Sequence, residues 1–348
     1  MNIEYLDLVL STTMTLRKVK SILLKEKKGE YNLRPQMHIL IVSPFGTFKS
    51  SITKKMEKLF PKDVYPIDNF TRPSIEGSIG RDGEYIPSLI VRLGGKLMII
   101  DEWNSVDYSA QIALLGILEN QRINRTLGFK VRRPFKFKNK YGYFKISENL
   151  ITGGMFFSCL AYAMHYPLYS NSQESKALLS RYCPLFMQPT MQFMEANTSG
   201  SFEMNVNDCS QKVDNVIISK ECYEKFHDLY YDFVKTNKLI PFDTDDYGFI
   251  SRILSDIVRF GVYNYLSKNE TDDKNILIEK HTYFTEMFIY IRTLMQQYMN
   301  PNTKSKFAQY QKLLRDNPGK KKDFYYNTLG ISRQTLWEYD QKIGKRVN

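Results

Sequence analysis

His38-Ile39-Leu40-Ile41-Val42-Ser43-Pro44-Phe45-Gly46-Thr47-Phe48-Lys49-Ser50 is the stretch that decides the fold of this chain. Its first five residues form a short apolar run bounded by turn residues, which predicts a buried strand. Ser43 to Phe48 reads as a loop, and Lys49 to Phe60 has helical character. Strand, loop and helix in that order is the context of a phosphate-binding loop. Backbone N–H groups there face phosphate oxygens, and the helix N-terminus adds its dipole. In that reading Ser43, Pro44, Phe45, Gly46, Thr47, Phe48, Lys49, Ser50 and Ser51 cradle ATP, Lys49 reaches its outer phosphates, and the Ser50 hydroxyl ligates Mg2+. The strict pattern has glycines where Ser43 and Phe48 stand. By itself, therefore, the stretch also reads as an ordinary strand-to-helix turn carrying an exposed lysine.

About 50 residues on, Leu97-Met98-Ile99-Ile100-Asp101-Glu102 is an apolar strand ending in two carboxylates. Solvated acids at a strand end are common. Following a candidate phosphate loop, the pair takes on roles: Asp101 holds the metal with Ser50, and Glu102 polarises the attacking water.

Around these segments, residues 2–28 carry apolar positions at helical spacing and predict one or two helices. Residues 74–91 contain two short extended runs flanking Arg81-Asp82-Gly83-Glu84, a hairpin signal. Asp107 to Gln121 is helical, with Ile112, Leu115 and Leu118 on one face. Met155 to Ala161 is a strand candidate, 190–215 reads as loop, and Lys220–Lys235, Tyr247–Leu266 and Ile276–Met299 as three helices. Strands alternating with helices, followed by helices alone, predict an α/β fold with a helical appendage.

Net charge is +12, with 49 Lys and Arg against 37 Asp and Glu, which favours a polyanionic partner. The charge concentrates between Glu119 and Glu148, where nine basic residues and no acidic one occur: Arg122, Arg125, Lys130, Arg132, Arg133, Lys136, Lys138, Lys140 and Lys145. Phe129, Phe135, Phe137, Tyr141, Tyr143 and Phe144 interleave with them. Basic side chains neutralise phosphates and rings offer stacking platforms, so DNA is the expected partner. The plainer alternative is an edge ribbon whose charges only prevent aggregation. Near the C-terminus, Gly330-Ile331-Ser332 has the form of a helix-turn-helix bend. Arg333, Gln334 and Thr335 then open a candidate recognition helix; a protein-docking helical bundle is the alternative.

The four cysteines have no metal-site spacing and read as free thiols of a reducing cytosol. No run of about 18 apolar residues predicts a membrane span, and a cytoplasmic, DNA-associated location is expected.

Taken together, His38–Ser50, then Leu97–Trp103, then Glu119-Asn120-Gln121-Arg122-Ile123, then Leu179-Ser180-Arg181-Tyr182 resemble, in order and rough spacing, the motor portion of the minichromosome maintenance (MCM) helicases of the AAA+ class. The likeness covers about residues 30–300. It implies a P-loop NTPase core over 1–190 decorated by two hairpins, at 74–91 and 122–146. A linker and helical lid over 191–300 and a winged-helix-like DNA-binding unit over 301–348 complete the implied organisation. It also implies that Arg181 is an arginine finger acting on a neighbouring subunit, that Arg252 (or Arg259) is the lid arginine, and that the subunits form a hexameric ring with other replication proteins as partners. Lys130, Arg132, Arg133, Lys136, Lys138 and Lys140 become the DNA-tracking residues, beside Arg333, Gln334 and Thr335. Two departures stand out. The family's asparagine at the end of the next core strand is absent from Cys159–His165, with His165 the nearest polar substitute. Only about 30 residues precede the first strand, where the family has a large domain.

Three functions follow as expectations: an ATP-driven DNA translocase or helicase, a replication initiator or recruitment factor using ATP as a switch, or an inactive ATPase kept as a structural partner.

Overall fold

Two buried polar residues, His38 and Gln121, explain how the layers of the core are joined. The computed structural model describes residues 3–26, 29–43, 49–68, 70–126, 130–163, 181–186, 203–209, 213–236 and 247–287. Towards the C-terminus it describes 310, 313–314, 320, 322–329, 336–337 and 340. The chain divides into two compact units, Met1–Ile291 and Arg292–Asn348.

In the first unit, α1 (Ile3–Leu16) leads into a hairpin of β1 (Ser21–Glu26) and β2 (Gly29–Leu33). The second half of the expected N-terminal helix is therefore a strand: Ile22 and Leu24 are buried in alternation with their neighbours, a period of two that the short window hid among helical apolar spacings. Next come β3 (His38–Val42), α2 (Lys49–Leu59), β4 (Val64–Ile67), α3 (Arg72–Glu76), the two-residue strands β5 (Ser78–Ile79) and β6 (Tyr85–Ile86), α4 (Leu89–Leu93), β7 (Leu97–Ile100) and α5 (Tyr108–Asn120). Strands β8 (Arg122–Thr126), β9 (Phe135–Asn139), β10 (Gly142–Ser147) and β11 (Leu150–Met155) follow, then β12 (Ser158–Ala163), β13 (Cys183–Phe186) and β14 (Asn215–Ile218). The unit closes with α6 (Lys220–Thr236), α7 (Tyr247–Lys268), β15 (Asn275–Ile278) and α8 (Thr282–Thr285).

The central sheet is fully parallel, in the order β13-β3-β12-β7-β4. β3, β7 and β12 are buried along their whole length, as strands covered on both faces must be. β12 was not separable from β11 in the sequence: the apolar run from Met155 to Ala161 breaks at Phe156-Phe157, and its two halves join different sheets. The hairpin at 78–86 forms as expected, with Asp82 Oδ1 accepting from the Glu84 N–H and Gly83 at φ 78°. It sits between the short helices α3 and α4.

A second sheet, β15-β14-β1-β2, joins the N-terminal hairpin to the segment after residue 213. Asn275–Ile278, expected at the start of a helix, is a strand there, while α6 and α7 match the helices read from the sequence. The expected boundary at 190/191 thus has strands of one sheet on both its sides. α1 is bound to the same region by a ladder. Asp7 Oδ2, Ser11 Oγ and Thr15 Oγ1 accept the backbone N–H groups of Asn205, Asn207 and Cys209, each at 3.0 Å. Four helical residues rise about 6 Å and two extended residues about 6.6 Å, so one face of a helix can serve alternate N–H groups of an extended segment. This accounts for the buried Ser11 and Thr15, while the buried Thr12 and Thr13 turn their hydroxyls back to the Leu8 and Val9 carbonyls.

Below α1, the fully buried Arg17 donates to the Gly95 and Met14 carbonyls and pairs with Asp63 (3.1 Å) and Asp208 (2.9 Å). At the end of α5, Gln121 takes the left-handed conformation (φ 51°) as C-cap. Its amide exchanges two hydrogen bonds with the backbone of Phe157, at 3.1 and 3.2 Å.

In the second unit, α9 (Lys322–Leu329) leads up to the bend read at Gly330-Ile331-Ser332. Tyr310, Tyr325 and Leu336 form a small core, and Asp340 accepts from Tyr310 and pairs with Lys322 at 2.6 Å.

Replacing Gln121 by alanine leaves the buried N–H and C=O of Phe157 without partners. A loss of about 2–4 kcal/mol is expected, seen as a lower urea midpoint with unchanged slope; an unaltered midpoint would mean that the amide does not join α5 to β12.

Candidate nucleotide site and basic sheet

The parallel register decides which side chains meet at the carboxyl edge of the central sheet. Ala161 of β12 lies opposite Leu40 on one side and Ile100 on the other. Asp101 is therefore level with Ile41, and Glu102 with Val42. Two strand spacings, about 10 Å, separate them. Ser43 continues β3, its N–H donating to the Ala163 carbonyl at 2.9 Å. In β4, Ile67 lies opposite Ile100, which brings Asp68 beside Asp101. The connection after β3 runs to one side of the sheet and that after β12 to the other, and open α/β sheets bind ligands outside the carboxyl ends at such a switch point.

Lys49 opens α2 beside this edge. Burial pushes the Asp101 carboxyl above its ordinary range; the Lys49 ammonium opposes the shift, and the Glu102 and Asp68 carboxylates add to it. Thr53, one turn beyond Lys49, hydrogen-bonds the buried Tyr162 hydroxyl at 3.3 Å and ties α2 to β12. Ser50 is exposed and Ser51 half-buried. Pro44, Phe45, Gly46, Thr47 and Phe48 lie outside the described residues, as does His165. Asp68, Thr53 and Tyr162 were not singled out in the sequence. Each is an ordinary residue at a strand end or on a helix, and only the register brings them together. Among the described residues no three His, Cys, Asp or Glu side chains form a metal cage. Mg2+ usually takes one or two carboxylates together with substrate phosphates, and Asp101, desolvated and flanked by two acids, is suited to that use.

Arg181 precedes β13, whose Cys183 lies opposite Ile39. Extending that register puts Arg181 level with Met37, six residues and about 20 Å along the strand direction from Ser43. The neighbouring Tyr182 is fully buried against Trp103 and bonds Cys159 Sγ at 3.4 Å. Arg181 itself donates to the Leu115 carbonyl at 3.1 Å and pairs with Glu119, both on α5. Of the two lid-arginine candidates, Arg259 is buried, pairs with Asp256 at 2.7 Å and donates to the Arg34 carbonyl. The Arg252 side chain, and Arg333, Gln334 and Thr335, lie outside the described residues.

The basic segment forms a four-stranded antiparallel sheet, β8-β11-β10-β9. Its inner face carries Phe144, Ile146 and Ile151, with Phe135 and Phe137 packed against the same core, and Tyr85 of β6 stacks on Phe144. Of the rings read as stacking platforms, Phe135, Phe137 and Phe144 thus face inward, Phe129 lies outside the described residues, and Tyr143 is exposed. The outer face is ordered in rows: Lys138, Tyr143, Gly154 and Arg122 in one, Lys136, Lys145, Thr152 and Asn124 in the next. Lysines on the edge strand β9 would serve to prevent aggregation, but Lys145 lies on an inner strand, directly opposite Lys136. Like charges in that position are unfavourable, a cost that a polyanion on this face would offset. Arg133 pairs with Glu84 at 3.1 Å and the Arg132 N–H donates to Gly83, so the 130–133 segment docks on the small hairpin. Lys130 lies 4.0 Å from Glu148 and Lys140 sits over the Tyr141 ring. The pairs of Lys130 and Arg133 are exposed and weak.

Comparison with protein-family models gives no match, and neither does comparison with curated proteins. No described helix is long and apolar enough to cross a membrane.

Asp101→Asn removes a charge that the fold disfavours. For a carboxyl whose folded pKa is raised, the associated stability is complete below the unfolded pKa, about 3.9, and is lost as pH rises through the folded value. The variant is expected to melt at or above the wild-type temperature at pH 7, the gap closing on acidification. Melting well below wild type at pH 7 would contradict the assignment of Asp101 to a desolvated functional position.

Proposed function

We propose that the chain is an ATP-hydrolysing, DNA-binding subunit of the AAA+ class, akin to the MCM motor core, working in DNA replication as a ring-shaped oligomer. The observation that supports this most is the juxtaposition of Lys49 with the Asp101–Glu102 pair at a switch point of a parallel sheet. Lys49 binds the outer phosphates of ATP. Ser50 and Asp101 would hold Mg2+, which supplies charge neutralisation on the transferring phosphoryl group. Glu102, exposed and one residue beyond the metal position, orients and deprotonates the attacking water. Arg181 lies at the opposite edge of the sheet, so it serves the site of a neighbouring subunit. In the single chain its guanidinium is held by α5, and assembly must release it. The basic sheet meets DNA, and hydrolysis at subunit interfaces moves it.

One observation favours a second reading. With Arg181 retained by Glu119 of its own chain, a subunit binds ATP without hydrolysing it. That behaviour suits a replication initiator or recruitment factor that uses ATP as a switch. ATP-dependent strand separation distinguishes the motor from this switch.

For the enzyme, Lys49→Ala is expected to abolish ATP binding. Glu102→Gln should keep binding and lose hydrolysis by at least about 100-fold. Arg181→Ala should lower the rate by about 1,000-fold or more, and only at concentrations where the wild type assembles. Hydrolysis that survives Glu102→Gln, or that runs at full rate in a monodisperse monomer, would sink the catalytic scheme. For DNA, neutralising Lys136 and Lys138 together should flatten the salt dependence of binding. The log–log slope changes by about 0.7 per lost contact on a single strand and about 0.9 on duplex; an unchanged slope removes this face from the DNA path.

A further inference from the structure

Beside the first outer row of the basic sheet lies a cavity of about 410 Å³. Tyr143, Gly154 and Arg122 of that row border it, and so do Gly142, Gln36 and Phe156. Tyr143 is 53% exposed, although aromatic rings in this sheet otherwise turn to the core. Its neighbour on the same face is Gly154, and the next is Arg122. The glycine carries no side chain of its own between ring and guanidinium, and the Arg122 stem lies against it, its Cγ 3.3 Å from where a Cβ would stand, so the guanidinium is carried beside the ring at the cavity. A side chain at 154 would strike the Gln121 carbonyl, at 2.7 Å from an added Cβ, so close strand approach keeps this position bare. Gln36 is fully buried and donates through Nε2 to the Val19 carbonyl, which fixes the amide's orientation. Its Oε1 accepts no hydrogen bond among the described residues.

We propose that this face and its cavity bind a single strand of DNA by its bases as well as its phosphates: one unpaired base stacks on Tyr143 over Gly154, while Arg122, Lys136, Lys138 and Lys145 hold the backbone. The inference rests on the DNA-binding reading and makes it specific. Phosphate contacts alone need only the cations and serve duplex and single strand alike. An outward aromatic ring set among cations, with an open slot beside it, serves a partner whose base faces are free, because every unpaired base has a face to stack. Among the described residues no carboxylate pairs with Arg122, Lys136, Lys138 or Lys145, so their charge is available to the strand.

The test uses the full chain and two oligonucleotides of equal length and charge, one of thymidines and one abasic, titrated by fluorescence anisotropy over a range of salt. The wild type is expected to bind the thymidine strand at least about fivefold more tightly. Tyr143→Ala should bring the two affinities within twofold without altering the salt slope, and Tyr143→Trp should restore the preference. Because Tyr143 is exposed, these variants fold. Equal binding of both strands by the wild type, or a preference untouched by Tyr143→Ala, overturns the proposal and leaves a surface that reads phosphate only. Tyr143-dependent binding of thymidine monophosphate that gains nothing from added chain length overturns it in favour of a free-nucleotide pocket. Binding of neither oligonucleotide removes the DNA reading itself, so the two failures are distinguishable.

Discussion

Two buried polar side chains hold the register on which the candidate nucleotide site depends. β3, β7 and β12 are buried on both faces and, His38 and Ser158 aside, apolar, so the usual penalty for slipping a strand by one residue, the turning of exposed polar groups into the core, hardly operates on them. Hydrogen bonds to side chains supply the missing constraint. His38 Nδ1 accepts the Cys159 N–H at 3.1 Å, and Nε2 lies 3.2 Å from the Leu118 carbonyl. An Nδ1 that accepts leaves the proton on Nε2, so the ring is neutral and bridges β12 to α5. Gln121 then clasps both backbone groups of Phe157, the residue before β12. A slip of β12 breaks both attachments and carries Tyr162 away from Thr53. With the register held, the acids of β7 emerge level with the end of β3.

The same unit shows how a polar residue can organise a region distant in sequence. Arg17, at the end of α1, reaches the turn before β7, the residue before β4, and Asp208. Burying a guanidinium is costly unless its donors are met. These partners therefore have to arrive together, and the ladder from Asp7, Ser11 and Thr15 guides the 203–209 segment to them. The N-terminal helix thereby fastens the central sheet to the second sheet built from β1, β2, β14 and β15.

The basic sheet divides one sequence pattern into two tasks. Along β9 and β10, alternate residues go to opposite faces, Phe135, Phe137, Phe144 and Ile146 inward, Lys136, Lys138 and Lys145 outward. Strand pairing then gathers cations from three strands into adjacent rows, and the glycines of β11 let the strands lie close while leaving the surface beside Tyr143 bare.

The sequence by itself determined the local elements whose cause is local. Apolar runs marked β3 and β7, helical spacing marked α2, α5, α6 and α7, Asp82-Gly83 marked a turn, and alternation marked the basic strands. It also named Lys49, Asp101 and Glu102 through their positions next to those elements. Tertiary structure decided what depends on pairing between distant residues. Residues 21–26, 215–218 and 275–278 are strands because they complete one another's hydrogen bonds, which no window of ten residues contains. Asp68 and Tyr162 join the site only through register, Arg259 proves to be a buried clasp on Arg34, and the pleat separated the exposed Tyr143 from its inward neighbour Phe144. A side chain's chemical type is written in the sequence, but its partners and the face it shows are set by packing, because those follow from contacts that close only when the whole sheet has formed.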